Sequence, residues 1–416
     1  MKSSASGRRP VVPPPPSAPA GPARAGSPAP PAMALTEPPA PAHPGSPDTG
    51  GAGSPPAAAA APVAKDTGVR PASPGRPARL RPVPLITALV LLAGVTGLSL
   101  LSGAAGLPAG GVVAELLDRL PFVHLDSGLS VVEQNVLLQL RLPRVLMGAA
   151  VGGLLAVAGA GYQGVFRNPL ADPYLLGAAA GAGLGATLVI VFMPFDPLIG
   201  TPVAAFAGAV GGVFLAYLLG STRGRGGGAA TLVLAGVAVS SFLSALQTFV
   251  QQAKLEELQR IYSWIMGGLT GADWPTLAMI APYALVSTIV LLMHGRLLDV
   301  LSVGDDEAAS LGLSAPRVRL VVLVAASLAT ASAVAVSGLI GFVGIVVPHL
   351  VRRLAGGSYR IVLPLSVIVG ATFLELADLV ARSLIAPGEL PLGVVTAFVG
   401  APFFVGVLRA TRRVET

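Results

Sequence analysis

Three acids in a row, Asp305, Asp306 and Glu307, lie in the segment LDVLSVGDDEAASLG (Leu298–Gly312), a polar island between two long apolar runs. The residue types predict two short helical pieces, LLDVLSV and DDEAASLGL, separated at Gly304. Carboxylates in a first turn suit the positive end of a helix, and Gly312 stands where a helix end favours glycine. Such a cluster offers charge pairing. Acid–base or metal chemistry is not indicated, because His43, His124, His294 and His349 are scattered without ligand spacing and no Ser/His/Asp set accompanies them. The segment reads either as a solvated loop or as a docking surface for a partner.

Other chemistry-bearing residues are sparse. Glu375 and Asp378 are the ionisable groups inside an apolar run, fewer than an ion-coupled carrier ordinarily needs. Arg141, Arg144 and Arg382 mark the ends of two such runs. They read as arginines anchoring helix ends or as a basic rim for carboxylates of an external partner or an anionic ligand. No G-x-x-x-x-G-K-[ST] occurs, so no P-loop supplies ATP chemistry. A permease without an engine has to borrow one, and the acidic island is the place to couple it.

These groups are positioned by a membrane protein. Of 416 residues, 53% are hydrophobic and 11% charged, against roughly 25% charged in soluble domains. Cysteine is absent, which removes disulfides and thiolate metal sites. The net charge of +7 comes largely from the N-terminal stretch and short loops, so nucleic-acid binding is not inferred. Residues 1–81, dense in Pro, Ala, Gly and Ser, are expected to be a disordered cytosolic tail, with no apolar run to form a signal-peptide core.

Residues 82–411 are expected to be an all-α domain of ten transmembrane helices, near 83–103, 141–165, 175–194, 201–220, 231–251, 274–294, 319–337, 338–351, 361–383 and 391–409. Most approach the about 20 residues needed to cross the hydrocarbon, where only helices satisfy an isolated backbone. The stretch Leu320–Val351 holds 32 residues without a formal charge, too long for one crossing, and basic clusters flank it. A break near Ser337-Gly338 is expected, with a short glycine-rich second crossing packed among other helices. With the N-terminus inside, the basic residues beyond the tail fall as twelve cytosolic and six external, in line with the positive-inside bias. The external six include Arg141, Arg144 and Arg382. In the fifth run, Ser240, Ser241, Ser244 and Gln247 either line a path or bond neighbouring helices.

Read together, RLPR (Arg141–Arg144), NPLADPYLLG (Asn168–Gly177), LAGVAVSSFLSAL from Leu234, WIMGGL from Trp264, GDDEAASLG from Gly304, SGLIGFVGIVVPHLVR from Ser337, ADLVAR from Ala377 and ELPLGVVTAFVGAPFF from Glu389 resemble the permease subunits of type II ABC importers. That family takes up ferric siderophores, haem and cobalamin. The resemblance covers about residues 83–410. It implies a homodimer or close heterodimer of ten-helix subunits in the bacterial cytoplasmic membrane, with N- and C-termini cytosolic. It implies two cytosolic ATPase subunits docked on the loop at 295–318, with coupling residues Gly304, Asp305, Asp306, Glu307, Ala308, Leu311 and Gly312. An external solute-binding protein would pair its carboxylates with Arg141, Arg144 and Arg382, and Ser240 and Ser241 would belong to the path or its gate. No cofactor or catalytic residue is implied, ATP hydrolysis lying with the partner. The family often has Glu at Asp306 and commonly Ser at Gly268. An ion-coupled secondary transporter using Glu375 and Asp378 is the alternative.

Overall fold

A computed structural model describes residues 82–103, 106–121, 124–193, 200–221, 229–386 and 388–412. The tail expected over 1–81 lies outside the described residues. In chain order the helices are α1 (Pro82–Leu101), α2 (Ala109–Asp118), α3 (Val131–Asn135), α4 (Leu142–Phe166), α5 (Ala178–Phe192), α6 (Gly200–Gly220), α7 (Ala229–Ala253), α8 (Leu258–Ile265), α9 (Trp274–Met293), α10 (Gly295–Val303), α11 (Asp305–Ser310), α12 (Ala315–Ser337), α13 (Val343–Ala355), α14 (Tyr359–Ser383) and α15 (Leu392–Arg412). A π-helical turn, Val136–Arg141, joins α3 to α4. Among the described residues there is no strand, and seven helical stretches are long and apolar enough to cross a membrane.

The centre of the bundle is α4, almost wholly buried and packed against α14, α12, α13 and α9. Burial of oily surface does not drive helix association when the surroundings are equally oily; close packing does. The α4–α14 contact shows how close. A β-carbon on Gly152 would come within 2.2 Å of the Gly370 carbonyl oxygen, so a side chain at either position forces the axes apart. A second group, α5, α6 and α7, packs on α12. The outer helices carry apolar residues outward, among them Ile86 and Val90 of α1, Phe214 and Leu218 of α6, and Leu285 and Val286 of α9. That is the distribution a lipid-facing surface requires.

The break after α12 falls where it was expected, with Ser337 the last helical residue. The next helix does not begin at 338, however. Residues 338–342 are irregular, with Gly338 at φ 66° and Phe342 at φ 69°, and α13 starts at Val343. Irregular backbone at this depth requires internal partners. The Tyr174 hydroxyl supplies two, donating to the Ile340 carbonyl (3.0 Å) and accepting its N–H (3.2 Å), while Gly268 N–H donates to the Ser337 carbonyl (2.8 Å).

Candidate functional site

Polar side chains collect at the two ends of the bundle. At one end, α10 and α11 form a compact element directly after α9. Leu298 and Leu301 anchor α10 in the core, and Ala308 anchors α11. Gly304 joins them with φ 170° and ψ 163°, an extended conformation open to any residue. Its lack of a side chain matters for another reason: the Glu307 carboxylate folds back into the place a β-carbon would occupy. Gly312, at φ 77°, does need the left-handed region. There the N–H of Gly312 reaches the Ala309 carbonyl and that of Leu313 the Ala308 carbonyl, both at 2.9 Å, a Schellman closure.

The three acids of this element divide into two roles. Asp305 turns inward to Arg319 (2.6 Å) and to Arg167, whose Nε also donates to the Leu301 carbonyl (2.7 Å). Burial pushes the Asp305 carboxyl up, but hydrogen bonding and charge from Arg319 and Arg167 outweigh it and leave the group below its ordinary range. Asp306 and Glu307 face outward. Beside them stand Val303, 72% exposed, and Leu311, 71% exposed. Two apolar side chains flanking two carboxylates make a surface suited to protein contact.

Asp299, which sequence reasoning did not single out, ties this element to the bundle. Its carboxylate accepts from the Ser358 hydroxyl (2.7 Å), the Tyr359 N–H (2.6 Å) and Arg360 Nε (3.1 Å). It thus caps the N-terminus of α14 from another helix. Nearby, Gln163 of α4 donates to the Gly344 carbonyl (3.0 Å) and accepts from Arg352.

At the opposite end, Arg141, Arg144 and Arg382 come together, but not as three equivalent charges on a rim. Arg141 is buried and donates to the carbonyls of Leu100 (2.7 Å) and Leu101 (3.2 Å). Arg382 donates to those of Ser99 (2.7 Å) and Ser102 (3.0 Å). Both therefore satisfy orphan carbonyls at the C-terminus of α1, where cations are favoured. Arg144 instead makes its hydrogen bonds to carboxylates. It grips Asp378 through Nε and Nη2 (3.1 and 2.8 Å) and Glu389 through Nη1 and Nη2 (both 2.8 Å). Arg382 Nε lies 3.5 Å from Asp378, a charge contact without hydrogen-bond geometry. Glu375 accepts from the Thr96 hydroxyl at 2.7 Å. Asp378 is therefore neutralised in place, and Glu389, in the connection to α15, is a partner that sequence reasoning quoted only within a motif.

The hydroxyl groups of α7 lie on the outside of the single chain. Ser240 is half-buried, and Ser241, Ser244 and Thr248 are exposed at helical spacing beside Phe242 and Phe249. Ser241 and Thr248 bond back to their own helix at Val237 (2.9 Å) and Ser244 (3.0 Å). Gln247 instead turns inward to Thr187 (3.1 Å), which makes it helix-to-helix glue.

Residues 89–410 match the FecCD transport family. The chain belongs to that family. It is 38% identical to the cobalamin import system permease protein BtuC of Halobacterium salinarum over 80% of this chain and 91% of that one. It is 39% identical to the Fe(3+) dicitrate transport system permease protein FecD of Escherichia coli over 66% of this chain and 85% of that one. Among solved structures it is similar to an inward-facing ABC transporter of metal-chelate type, with TM-score 0.68 and 34% identity over 80% of this chain and the whole of that one. This FecCD-family chain is thus a multi-pass permease of an ABC importer, a transport subunit that works with an ATPase and a binding protein.

Proposed function

We propose that this permease carries a metal chelate, of ferric-siderophore type or the related haem and cobalamin class, across the bacterial cytoplasmic membrane. The proposed topology has ten crossings with both termini cytosolic. A helix occupies each of the ten apolar segments, and the shorter α5 and α13 would cross packed among neighbours. Two copies, or this chain and a close relative, would face each other across a path. The exposed hydroxyl row of α7 supports that reading, because Ser241, Ser244 and Thr248 line a passage only when a second surface stands opposite.

The observation that carries the proposal is the α10–α11 element, anchored inward by Leu298, Leu301 and Ala308 and presenting Val303, Asp306, Glu307 and Leu311 outward. Each ATPase subunit, one per permease, would dock there. Its movement would pass through Asp299 into α14 and through Asp305 to Arg167 and Arg319. At the other end, Arg144 is the group we assign to the binding protein's carboxylates, while Arg141 and Arg382 hold α1 in register beside it. Nothing in this arrangement favours the ion-coupled alternative, since Asp378 is paired with Arg144.

Gentle purification of the tagged chain from its native membrane tests the assignment. A P-loop ATPase at equal stoichiometry, lost in a Glu307→Arg variant, is the expected result. A chain that emerges alone, yet accumulates solute under a proton gradient, overturns it.

A further inference from the structure

We infer that Glu389 is an internal stand-in for the binding protein's carboxylate, occupying the Arg144 fork until docking displaces it. The inference rests on the reading of Arg144 as a docking residue and adds to it a competitor carried by the permease itself.

Three observations support it. The Arg144–Glu389 contact is fork-to-fork, with Nη1 to Oε1 and Nη2 to Oε2 both at 2.8 Å, the geometry an incoming carboxylate would adopt. The two carboxylates held by Arg144 are not alike in burial. Asp378 has a side chain 4% exposed, fixed within α14, whereas that of Glu389 is 34% exposed. One is a permanent counter-ion and the other is open to exchange. Finally, Arg144 and Glu389 both line two adjoining cavities of about 340 and 590 Å³, so the glutamate has space to swing aside without repacking the bundle.

Displacement would not stay local. Glu389 is followed by Leu390, whose N–H is held by the Ala381 carbonyl (3.0 Å), and then by Leu392 and Gly393, whose N–H groups bond the carbonyls of Gly267 and Met266 (both 3.0 Å). Releasing Glu389 removes the side-chain tie from this connection to Arg144 of α4 and leaves the backbone bonds alone to fix the start of α15. A docked partner would therefore both gain the arginine and loosen the entry to α15.

The test uses the full permease with its ATPase in nanodiscs, and the cargo-free binding protein from the same source as the probe in a surface-binding assay. Glu389→Gln removes the competing charge and should tighten docking by about fivefold, the scale of one partly exposed ion pair. The gain should vanish when Glu389→Gln is combined with Arg144→Gln. If docking by Glu389→Gln is unchanged or weaker while Arg144→Gln abolishes it, the stand-in role is wrong and the docking role stands. If Arg144→Gln leaves docking intact, the docking assignment itself fails. Should Glu389→Gln not assemble, Glu389→Asp, whose carboxylate is one methylene further back from the fork, gives the same discrimination: tighter docking supports the inference and unchanged docking overturns it.

Discussion

Asp299 accepts the backbone N–H of Tyr359 at 2.6 Å, so the first helix of the proposed coupling element caps the first turn of α14 across 60 positions of sequence. A carboxylate in that position satisfies an otherwise orphaned donor and opposes the positive end of the helix dipole. It also makes the junction stiff, because Ser358 and Arg360 hold the same side chain. Replacing it with alanine should cost about 1 kcal/mol of stability, the usual worth of a cap. The larger effect should be functional. In Asp299→Ala the ATPase should still associate and hydrolyse ATP while uptake per ATP falls, measured as the ratio of transport to hydrolysis in proteoliposomes.

The outward surface of α11 gives a second expectation. Glu307→Arg reverses a charge that is not part of the core, so insertion and thermal unfolding should change little. ATPase association should be lost. Leu311→Ser should weaken it without a charge change, because Leu311 is an exposed apolar residue of that surface. Pull-down from solubilised membranes reads both; wild-type yields in both variants would remove the coupling assignment.

Arg144 and Asp378 form a buried ion pair, and breaking it from one side leaves the other charge stranded. Arg144→Ala should destabilise the chain by about 3–5 kcal/mol. Replacing both partners by apolar residues, Arg144→Met with Asp378→Leu, should recover most of that loss, because a packed apolar pair avoids the desolvation cost. Docking of the binding protein should stay lost in the double variant. Thermal unfolding in detergent set against binding affinity separates the structural share from the recognition share.

The Asp305 clasp predicts a pH profile. A carboxyl whose folded value is depressed contributes stability that is present above its unfolded value and lost as pH falls through the folded one. Asp305→Asn should therefore lower thermal stability equally at pH 8 and pH 5. The gap to wild type should close only below about pH 4, near the unfolded reference for aspartate. A gap already closing at pH 6 would mean that Arg167 and Arg319 do not hold the group as described.

Gly268 is the position at which the resemblance leads one to expect serine. A β-carbon there would meet nothing within 4 Å, and the residue's N–H is engaged by the Ser337 carbonyl. Gly268→Ser should be tolerated within about 0.5 kcal/mol. Gly268→Pro, which removes the donor, should disrupt the 338–342 connection and transport with it, as read by uptake assays.

The helices were legible because apolar runs of crossing length have few other solutions in lipid, and Gly304 and Gly312 marked α10 and α11 correctly. The α12 boundary at Ser337 was legible from the glycine after it. The start of α13 was not, since what unwinds residues 338–342 is the Tyr174 hydroxyl and the Gly268 amide, both distant in sequence. The short helices α2, α3 and α8 escaped notice because none is a long apolar run. Arg141, Arg144 and Arg382 were visible as charges opposing the orientation bias. Their separate tasks were not, because the Asp378 and Glu389 partners of Arg144 and the α1 carbonyls are brought in by the fold. Asp299 left no local pattern at all, since the helix it caps lies 60 positions away.

The capping of α1 bears on how the chain is made. Arg382 reaches the Ser99 carbonyl across 283 positions, so the opening helix is completed by nearly the closing one. At ordinary elongation rates that interval lasts roughly 15–60 s. Through it, Arg141 can already serve the Leu100 and Leu101 carbonyls, while those of Ser99 and Ser102 await Arg382. A nascent chain stalled before α14 would thus carry a first helix whose Ser99 and Ser102 carbonyls still lack their arginine partner.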